Sequence, residues 1–281
     1  MKAIKKILIL FLLVNIGAFS LFAQFELWTV GTALTVPRGR LDVSAFRFAQ
    51  YGITNTFEVS AQPWIFVVFP NGQVKKTWYK RDFALATVHG INYPSWTLNM
   101  LRKRDKSGYI PVDSVVPQML AFKNEVIVSK FLKKKTTCEA ANYLLSVKLG
   151  FQFAWQIKKG DIPPMEKPII YPRSSIYQEK LLWYAGVDID GHLNSWINFS
   201  ADLDFLSVKF NLEDIAVEHK GMIMLPLTNS LSILGGYKIF WGTYPSGNSQ
   251  FAIYPLLDIS WKYQFKPKKA KEMDLFEKKM F

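Results

Sequence analysis

The stretch YLLSVKLGFQFAWQI, residues 143–157, decides the fold. Its odd positions, Tyr143, Leu145, Val147, Leu149, Phe151, Phe153, Trp155 and Ile157, are apolar throughout. The even positions, Leu144, Ser146, Lys148, Gly150, Gln152, Ala154 and Gln156, are mostly small or polar. Successive side chains of a strand point to opposite faces, so a period of two gives one oily face and one wet face. At about 3.3 Å per residue the run is too long for an ordinary globular strand and fits a tilted membrane crossing with overhang.

The pattern returns along the chain. Leu257, Ile259, Trp261, Tyr263 and Phe265 oppose Asp258, Ser260, Lys262 and Gln264. Phe57 and Val59 oppose Glu58 and Ser60, and Trp183, Ala185, Val187 and Ile189 oppose Asp188 and Asp190. Phe199, Leu203 and Phe205 oppose Asp202 and Asp204, while Ile233, Tyr237, Ile239 and Trp241 oppose Ser232 and Lys238. The segment from Ile215 to Leu225 is weaker, because His219 falls on its apolar parity. The expected fold is all-β, a single antiparallel transmembrane β-barrel of about ten strands, with eight to twelve fitting the same pattern. The expected strands are 38–49, 55–68, 75–90, 119–132, 139–157, 177–190, 193–206, 213–225, 230–243 and 250–265.

Connection lengths alternate as barrels require, with short periplasmic turns and longer outer loops. Pro70-Asn71-Gly72 reads as a tight hairpin turn, followed by a long connection from Ile91 to Gln118. A turn at Lys133-Lys134-Lys135 precedes a loop from Lys158 to Ile176. The stretch from Gln50 to Asn55 is the exception, since an outer loop is due there and the connection is short. The alternation puts both termini on the periplasmic side. Pro94 to Leu98 starts a short helix, and Leu27 to Val36 either adds a short strand or lies inside the barrel mouth.

Hydrophobic residues make up 49% of the chain and aromatics 15%, yet mean hydropathy is only +0.06. Beyond the N-terminus no apolar run approaches the ~20 residues of a helical span. Lys2, Lys5 and Lys6, the apolar run from Ile7 to Val14, and small residues before Ser20 and Ala23 form a signal peptide over 1–23. The remaining divisions are an N-terminal segment 24–37, the barrel 38–265 and a Lys-rich periplasmic tail 266–281. The expected location is the outer membrane of a diderm bacterium. The net charge of +13 then points to lipid and lipopolysaccharide phosphates as partners rather than nucleic acid.

The wet face supplies the candidate lumen-lining residues Glu58, Lys148, Gln152, Asp188, Asp202, Asp204, Glu218, Lys238, Asp258 and Lys262. Interleaved acids and bases, with Lys180 and Lys220 among them, suit a salt-bridged interior or a selective solute path. Trp155, Trp183, Trp241, Trp261, Tyr263 and Phe265 on the oily face suit an aromatic girdle. His89, His192 and His219 show no metal-ligand spacing, Cys138 has no disulfide partner, and no Gly-rich phosphate loop is present. No cofactor or metal is expected. His192-Leu193-Asn194-Ser195 resembles the His-x-Ser-Asn signature of outer-membrane acyl hydrolases with Asn and Ser exchanged. The exchange puts Ser195 on the opposite strand face from His192, so no enzyme is expected.

Tyr51-Gly52-Ile53-Thr54-Asn55-Thr56-Phe57-Glu58 resembles the YG(I/L)T(N/D)xxE hairpin of bacterial outer-membrane β-barrels, including those of aromatic-compound degradation pathways. The closing strand, Leu257 to Phe265, is similar to the aromatic-ended strand that the barrel assembly machinery recognises, although a tail follows it here. The resemblance implies that machinery as a partner. Some relatives are proposed to carry hydrophobic solutes, but the match is too short to transfer a substrate. The function expected is a narrow channel or solute-binding transporter. The alternatives are an envelope scaffold, a secretion-associated interaction protein or an acyl hydrolase. A general porin is disfavoured, because barrels of ~8 strands are filled by side chains and open pores need ~16.

The parity yields a direct test. Leu149→Arg places a charge on the oily face and is expected to cost roughly 2–4 kcal/mol near the bilayer centre. Gln152→Arg on the wet face is expected to cost far less. Urea unfolding of the refolded protein in lipid measures both, and equal losses would reverse the assignment.

Overall fold

The computed structural model describes residues 29–102, 110–133, 142–162, 176–194, 197–208, 214–243 and 249–265. The signal peptide, the Lys-rich tail, Cys138 and Ser195 lie outside these residues, as does most of the Lys133–Lys135 turn.

The described chain forms twelve antiparallel strands in one closed barrel, each paired with its neighbours in sequence and β1 with β12. They are β1 (Arg40–Ser44), β2 (Ala49–Thr54), β3 (Phe57–Ala61), β4 (Asn71–Lys80), β5 (Ala84–Asn92) and β6 (Gln118–Lys133). The second half holds β7 (Asn142–Lys158), β8 (Leu181–Asn194), β9 (Ile197–Val208), β10 (Ile215–Pro226), β11 (Leu231–Thr243) and β12 (Ser249–Gln264). Three short helices sit in the connections: α1 (Pro63–Phe66), α2 (Ser95–Leu101) and α3 (Ile176–Glu179).

Twelve strands replace the expected ten because the stretch expected as the connection Gln50–Asn55 is itself strand β2, and because the run 75–90 is two strands, β4 and β5; the expected strand 55–68 stops at Ala61, ahead of α1. The run 38–49 breaks after Ser44. There the Asp258 carboxylate accepts hydrogen bonds from the Ser44 hydroxyl and the Phe46 N–H (3.1 Å), and Arg47 pairs with it at 2.9 Å. These contacts draw the chain off the ladder. The run 75–90 breaks at residues 81–83, where the Arg81 N–H donates to the Phe83 carbonyl. Tyr79 and Phe83 stack across that turn with ring centroids 4.7 Å apart, so the turn carries aromatic residues and mimics strand alternation.

Pro70-Asn71-Gly72 is not a tight turn. Asn71 and Gly72 begin β4, paired with Asn92 and Ile91. The Asn71 side chain instead ties the mouth of the β3–β4 connection, accepting from the Gln62 N–H (2.7 Å) and donating to the Phe69 carbonyl (2.8 Å). Pro63 stands in the first turn of α1, where its missing N–H costs nothing. The tight turn lies at residues 54–57, inside the Tyr51–Glu58 hairpin of β2 and β3. The two missed turns offset each other, so from β6 onward the strand directions follow the expected alternation. One end of the barrel, the turn end, carries the starts of β1, β3, β5, β7, β9 and β11. The other, the loop end, carries the long connections. Residue 265 lies at the turn end, where the Phe265 N–H donates to the Gly39 carbonyl.

The wall is uneven. β1, β2 and β3 have 5, 6 and 5 residues, against 16, 17 and 16 for β6, β7 and β12. Outside, the long strands present their apolar parity, with Val147, Leu149, Phe151, Phe153, Trp155 and Ile157 all exposed on β7. Lumen-side residues of the same strand, Ser146, Lys148, Gly150, Gln152 and Ala154, are buried. Such an inversion, oily outside and polar inside, is the arrangement of a barrel surrounded by hydrocarbon.

Candidate functional site

The lumen is the candidate site, and its most decisive feature is a segment that does not belong to the wall. Residues 29–37 run inside the barrel at the turn end, and Thr32, Ala33, Leu34 and Val36 are fully or almost fully buried. The wall holds this segment largely by side chains. Lys75 of β4 donates to the carbonyls of Thr29 (2.6 Å) and Leu34 (2.9 Å), and the Thr77 hydroxyl donates to the Ala33 carbonyl (2.7 Å). The Ala33 N–H donates to Ser129 Oγ (2.8 Å), and the Val36 N–H donates to the Glu58 carboxylate (2.8 Å). Backbone pairing is confined to its exit, where the Gly39 N–H donates to the Gly52 carbonyl. Gly52 is required there, since a Cβ at this position would stand 2.2 Å from the Pro37 carbonyl oxygen. Of the two expectations for Leu27–Val36, the described part of that segment fulfils the one inside the mouth.

Beyond this plug the lumen carries rows of ion pairs. Glu58 and Lys75 lie 3.4 Å apart, and the Gln50 amide donates to the same carboxylate (2.7 Å). Lys148 on β7 meets Asp188 on β8 (3.1 Å) and Asp204 on β9 (2.8 Å). Gly186 permits that approach, because a Cβ there would overlap the Asp204 carboxylate. Lys220 pairs with Asp202 (2.7 Å), and Lys238 with Glu218 (2.9 Å). Lys123 pairs with Glu125 (3.1 Å), which also accepts from the Tyr184 hydroxyl. Alternation along each strand sends all of these residues inward, and antiparallel register sets partners opposite one another, as with Lys220 and Asp202.

Every sequence-predicted lumen residue stands on the inward parity. Glu58, Lys148, Gln152, Asp188, Glu218 and Asp258 are buried, and Asp202, Asp204, Lys238 and Lys262 partly so. The structure corrects two details. Asp258 serves Arg47 and Ser44 rather than a lysine of β11 or β12, and Lys180 is exposed ahead of β8, where it has a positive φ of 71°. Arg47, Lys75, Lys123, Glu125 and Tyr184 were not among the expected residues. Lys75 and Glu125 had a legible signal, since each shares the parity of small or polar neighbours. Arg47 had none, because it sits in a connection.

At the loop end, apolar packing covers the lumen side of the strand ends from β6 to β11. Phe69, Leu98, Ile110, Met119, Ile176 and Phe240 belong to one buried cluster, against which Ile65, Val68 and Leu101 pack. Loops and helices thus fold inward over the strand ends. Beside the plug lies a cavity of about 30 Å³, bordered by Thr29, Arg40, Asp42, Arg47, Phe48 and Lys262, among others. That is room for roughly two waters.

Of the girdle residues, Trp155, Trp241, Trp261, Tyr263 and Phe265 are exposed and Trp183 is partly so. Trp155, Trp183 and Trp241 mark the loop end; Trp261, Tyr263 and Phe265 mark the turn end. His219 faces outward, bonded to the Asp202 carbonyl and the Tyr237 hydroxyl. Among the described residues no group of His, Cys, Asp and Glu has the arrangement of a metal site.

Fold and lumen together define a closed β-barrel with an inserted N-terminal segment and an ion-paired interior. No protein-family model matches the chain, and no curated protein matches it. Among solved structures it is similar to OmpT, an outer membrane protein of Vibrio cholerae, with 9% identity and a TM-score of 0.38 over 79% of this chain. That match spans 64% of OmpT, less than two thirds of its length. The chain is also similar to the KdgM porin in complex with disordered oligogalacturonate, with 10% identity and a TM-score of 0.37, over 81% of this chain and 97% of that one.

The Lys148 cluster should behave as a buried ionic unit. Lys148→Ala leaves Asp188 and Asp204 facing each other without their cation and is expected to cost about 3–5 kcal/mol. Replacing all three by Met, Asn and Asn should recover most of that loss. Urea titration in detergent, followed by heat-modifiable migration, compares the variants; an unchanged Lys148→Ala midpoint would remove the cluster from the stability account.

Proposed function

We propose that the protein is an outer-membrane β-barrel that works as a narrow solute channel, closed at rest and opened by displacement of its N-terminal segment. The observation that carries this reading is the nature of the occlusion. A twelve-stranded wall lies between barrels filled by their own side chains and open porins of ~16 strands. Here the difference is filled by an insert, residues 29–37, bound mainly through side-chain hydrogen bonds. Withdrawing the insert breaks no strand pairing of the wall. The interior is polar and charged, so the vacated space would hydrate.

The outward apolar belt, the closed sheet and the export signal support an outer-membrane location, with the termini in the periplasm. The aromatic-ended β12 suits the barrel assembly machinery, and lipid and lipopolysaccharide are the surrounding partners. No catalytic role forms part of this reading.

A non-conducting envelope scaffold is the second reading. It is favoured by the loop-end cap, whose Ile110, Met119 and Ile176 are buried as completely as a folded core.

One experiment separates the two. Ala33→Cys and Ser129→Cys, in a Cys138→Ser background, place thiols where the plug meets β6. In planar bilayers the oxidised protein should be silent, and the reduced form should show small intermittent conductance. Deletion of residues 29–36 should give steady conductance. Silence of all three forms, with intact heat-modifiable barrels, would establish the scaffold and end the channel reading. Recovery of the protein as a soluble periplasmic monomer on cell fractionation would end both.

A further inference from the structure

Three neighbouring strands are too short to cross a bilayer. β1, β2 and β3 have 5, 6 and 5 residues. At about 3.3 Å per residue and a tilt of about 40° they rise only ~13–15 Å, against an apolar belt ~25 Å tall. All three keep to the turn end. β1 pairs with Ser260–Gln264, while β12 continues toward the loop end as far as Ser249. On the other flank the wall regains height by steps. Ser60 of β3 pairs with Gln73, β4 goes on to Asn71, and β6 passes the end of β5 to begin at Gln118. The wall therefore has one low sector, flanked by tall β12 on one side and lower β4 on the other.

Helix α1 stands above this sector, in the connection from Ala61 to Asn71. It is fixed in place. The Gln62 amide donates to the Phe46 carbonyl (2.8 Å), and the Thr97 hydroxyl donates to the Val68 carbonyl (2.7 Å). Ile65, Val68 and Phe69 face inward on the cap cluster. Trp64, Phe66 and Val67 are exposed, and so is Phe46, which stacks on Trp64 with centroids 6.4 Å apart. Below them the outward parity of β1, β2 and β3 carries Leu41, Val43, Ala49, Tyr51, Val59 and Ala61, so the outward positions of the sector are uncharged. Lipid is a poor cover for this face. A bilayer thins around a wall that is too short. Here β12 stands one strand spacing away, about 4.8 Å, and exposes Phe251, Ile253 and Leu257 at full height. Irregular backbone at membrane depth is tolerated only where protein covers it or where it lines water, and an apolar face does not hold water.

We propose that the low sector is a dimer interface, covered by the same sector of a second copy across a twofold axis along the membrane normal. Two features select a second copy as the occupant. The first is the shape of the flanks. A twofold rotation sets the tall β12 of each copy against the low β4 side of the other, so the pair encloses both α1 helices. The second is charge. An isologous contact brings each group toward its own image, and an uncharged face meets itself without opposing like charges. The aromatic groups of the face, Phe46, Trp64 and Phe66, are of the kind enriched where proteins meet. The inference rests on the outer-membrane location and not on conduction. A conducting monomer leaves the channel reading standing, and a silent dimer leaves the interface standing.

The test uses the full chain in isolated outer membranes, in a Cys138→Ser background, with a short bis-maleimide as the cross-linker. Val67→Cys should be captured as a band of twice the chain mass. Leu149→Cys, exposed on the opposite wall, should stay single. Sedimentation equilibrium in mild detergent should give the mass of two chains. Val67→Arg should weaken that association by about tenfold or more, because the charge is buried without a partner, while heat-modifiable migration shows a folded barrel. Trp64→Ala, which adds no charge, gives the same reading should the arginine variant not fold. A single-chain mass with no Val67→Cys cross-link would leave the sector to lipid and overturn the proposal. Equal capture at Leu149→Cys would reduce the cross-link to crowding and overturn it too. So would a three-chain mass, a cross-link to a protein of another mass, or association unchanged in both variants.

Discussion

In hydrocarbon a sheet has no water to satisfy its backbone, so it must close on itself, and closure fixes how much space the wall surrounds. Twelve strands surround more than their own inward side chains fill. The remaining features of the molecule answer that surplus. At the turn end an extended segment enters the lumen and spends its backbone groups on Lys75, Thr77, Ser129 and Glu58. At the loop end, connections fold inward and bury an apolar cluster. A small cavity beside the plug is bordered by Thr29 and Val30.

The ion pairs follow from the same constraint. Inward parity brings acids and bases from neighbouring strands into a space that water reaches poorly. A charge there is tolerable only when partnered. Lys148 between Asp188 and Asp204, and Lys238 beside Glu218, meet that condition. Lys75 does more, because it pairs with Glu58 and at the same time binds two carbonyls of the plug. Plug and wall therefore share one electrostatic unit, and displacement of the plug must be accompanied by rehydration of both charges.

Asp258 occupies an equivalent position at the seam. Its carboxylate takes donors from Ser44, Phe46, Arg47 and Ile259, so it terminates the β1–β12 ladder and turns the chain into the β1–β2 connection. The pairing of β1 with β12 is therefore limited to Arg40–Ser44 and Ser260–Gln264. A single inward acid thus decides where that pairing ends.

Period-two alternation by itself determined that the chain is a barrel of strands, which face of each strand is oily, and which residues point inward. This is a local property, because side-chain direction alternates whatever lies next to the strand. Residues such as Lys148, Asp188 and Asp204 were legible for that reason. The strand count was not, because the turns at 45–48 and 81–83 carry Phe46, Phe48 and Phe83 and continue the apolar rhythm. Nor were the partners of Arg47 and Lys75, which come from segments 211 and 41 residues away. Tertiary structure decided the count, the plug, the pairing of charges and the place where the seam ends, since each depends on register between distant strands and on how much volume a closed wall must fill.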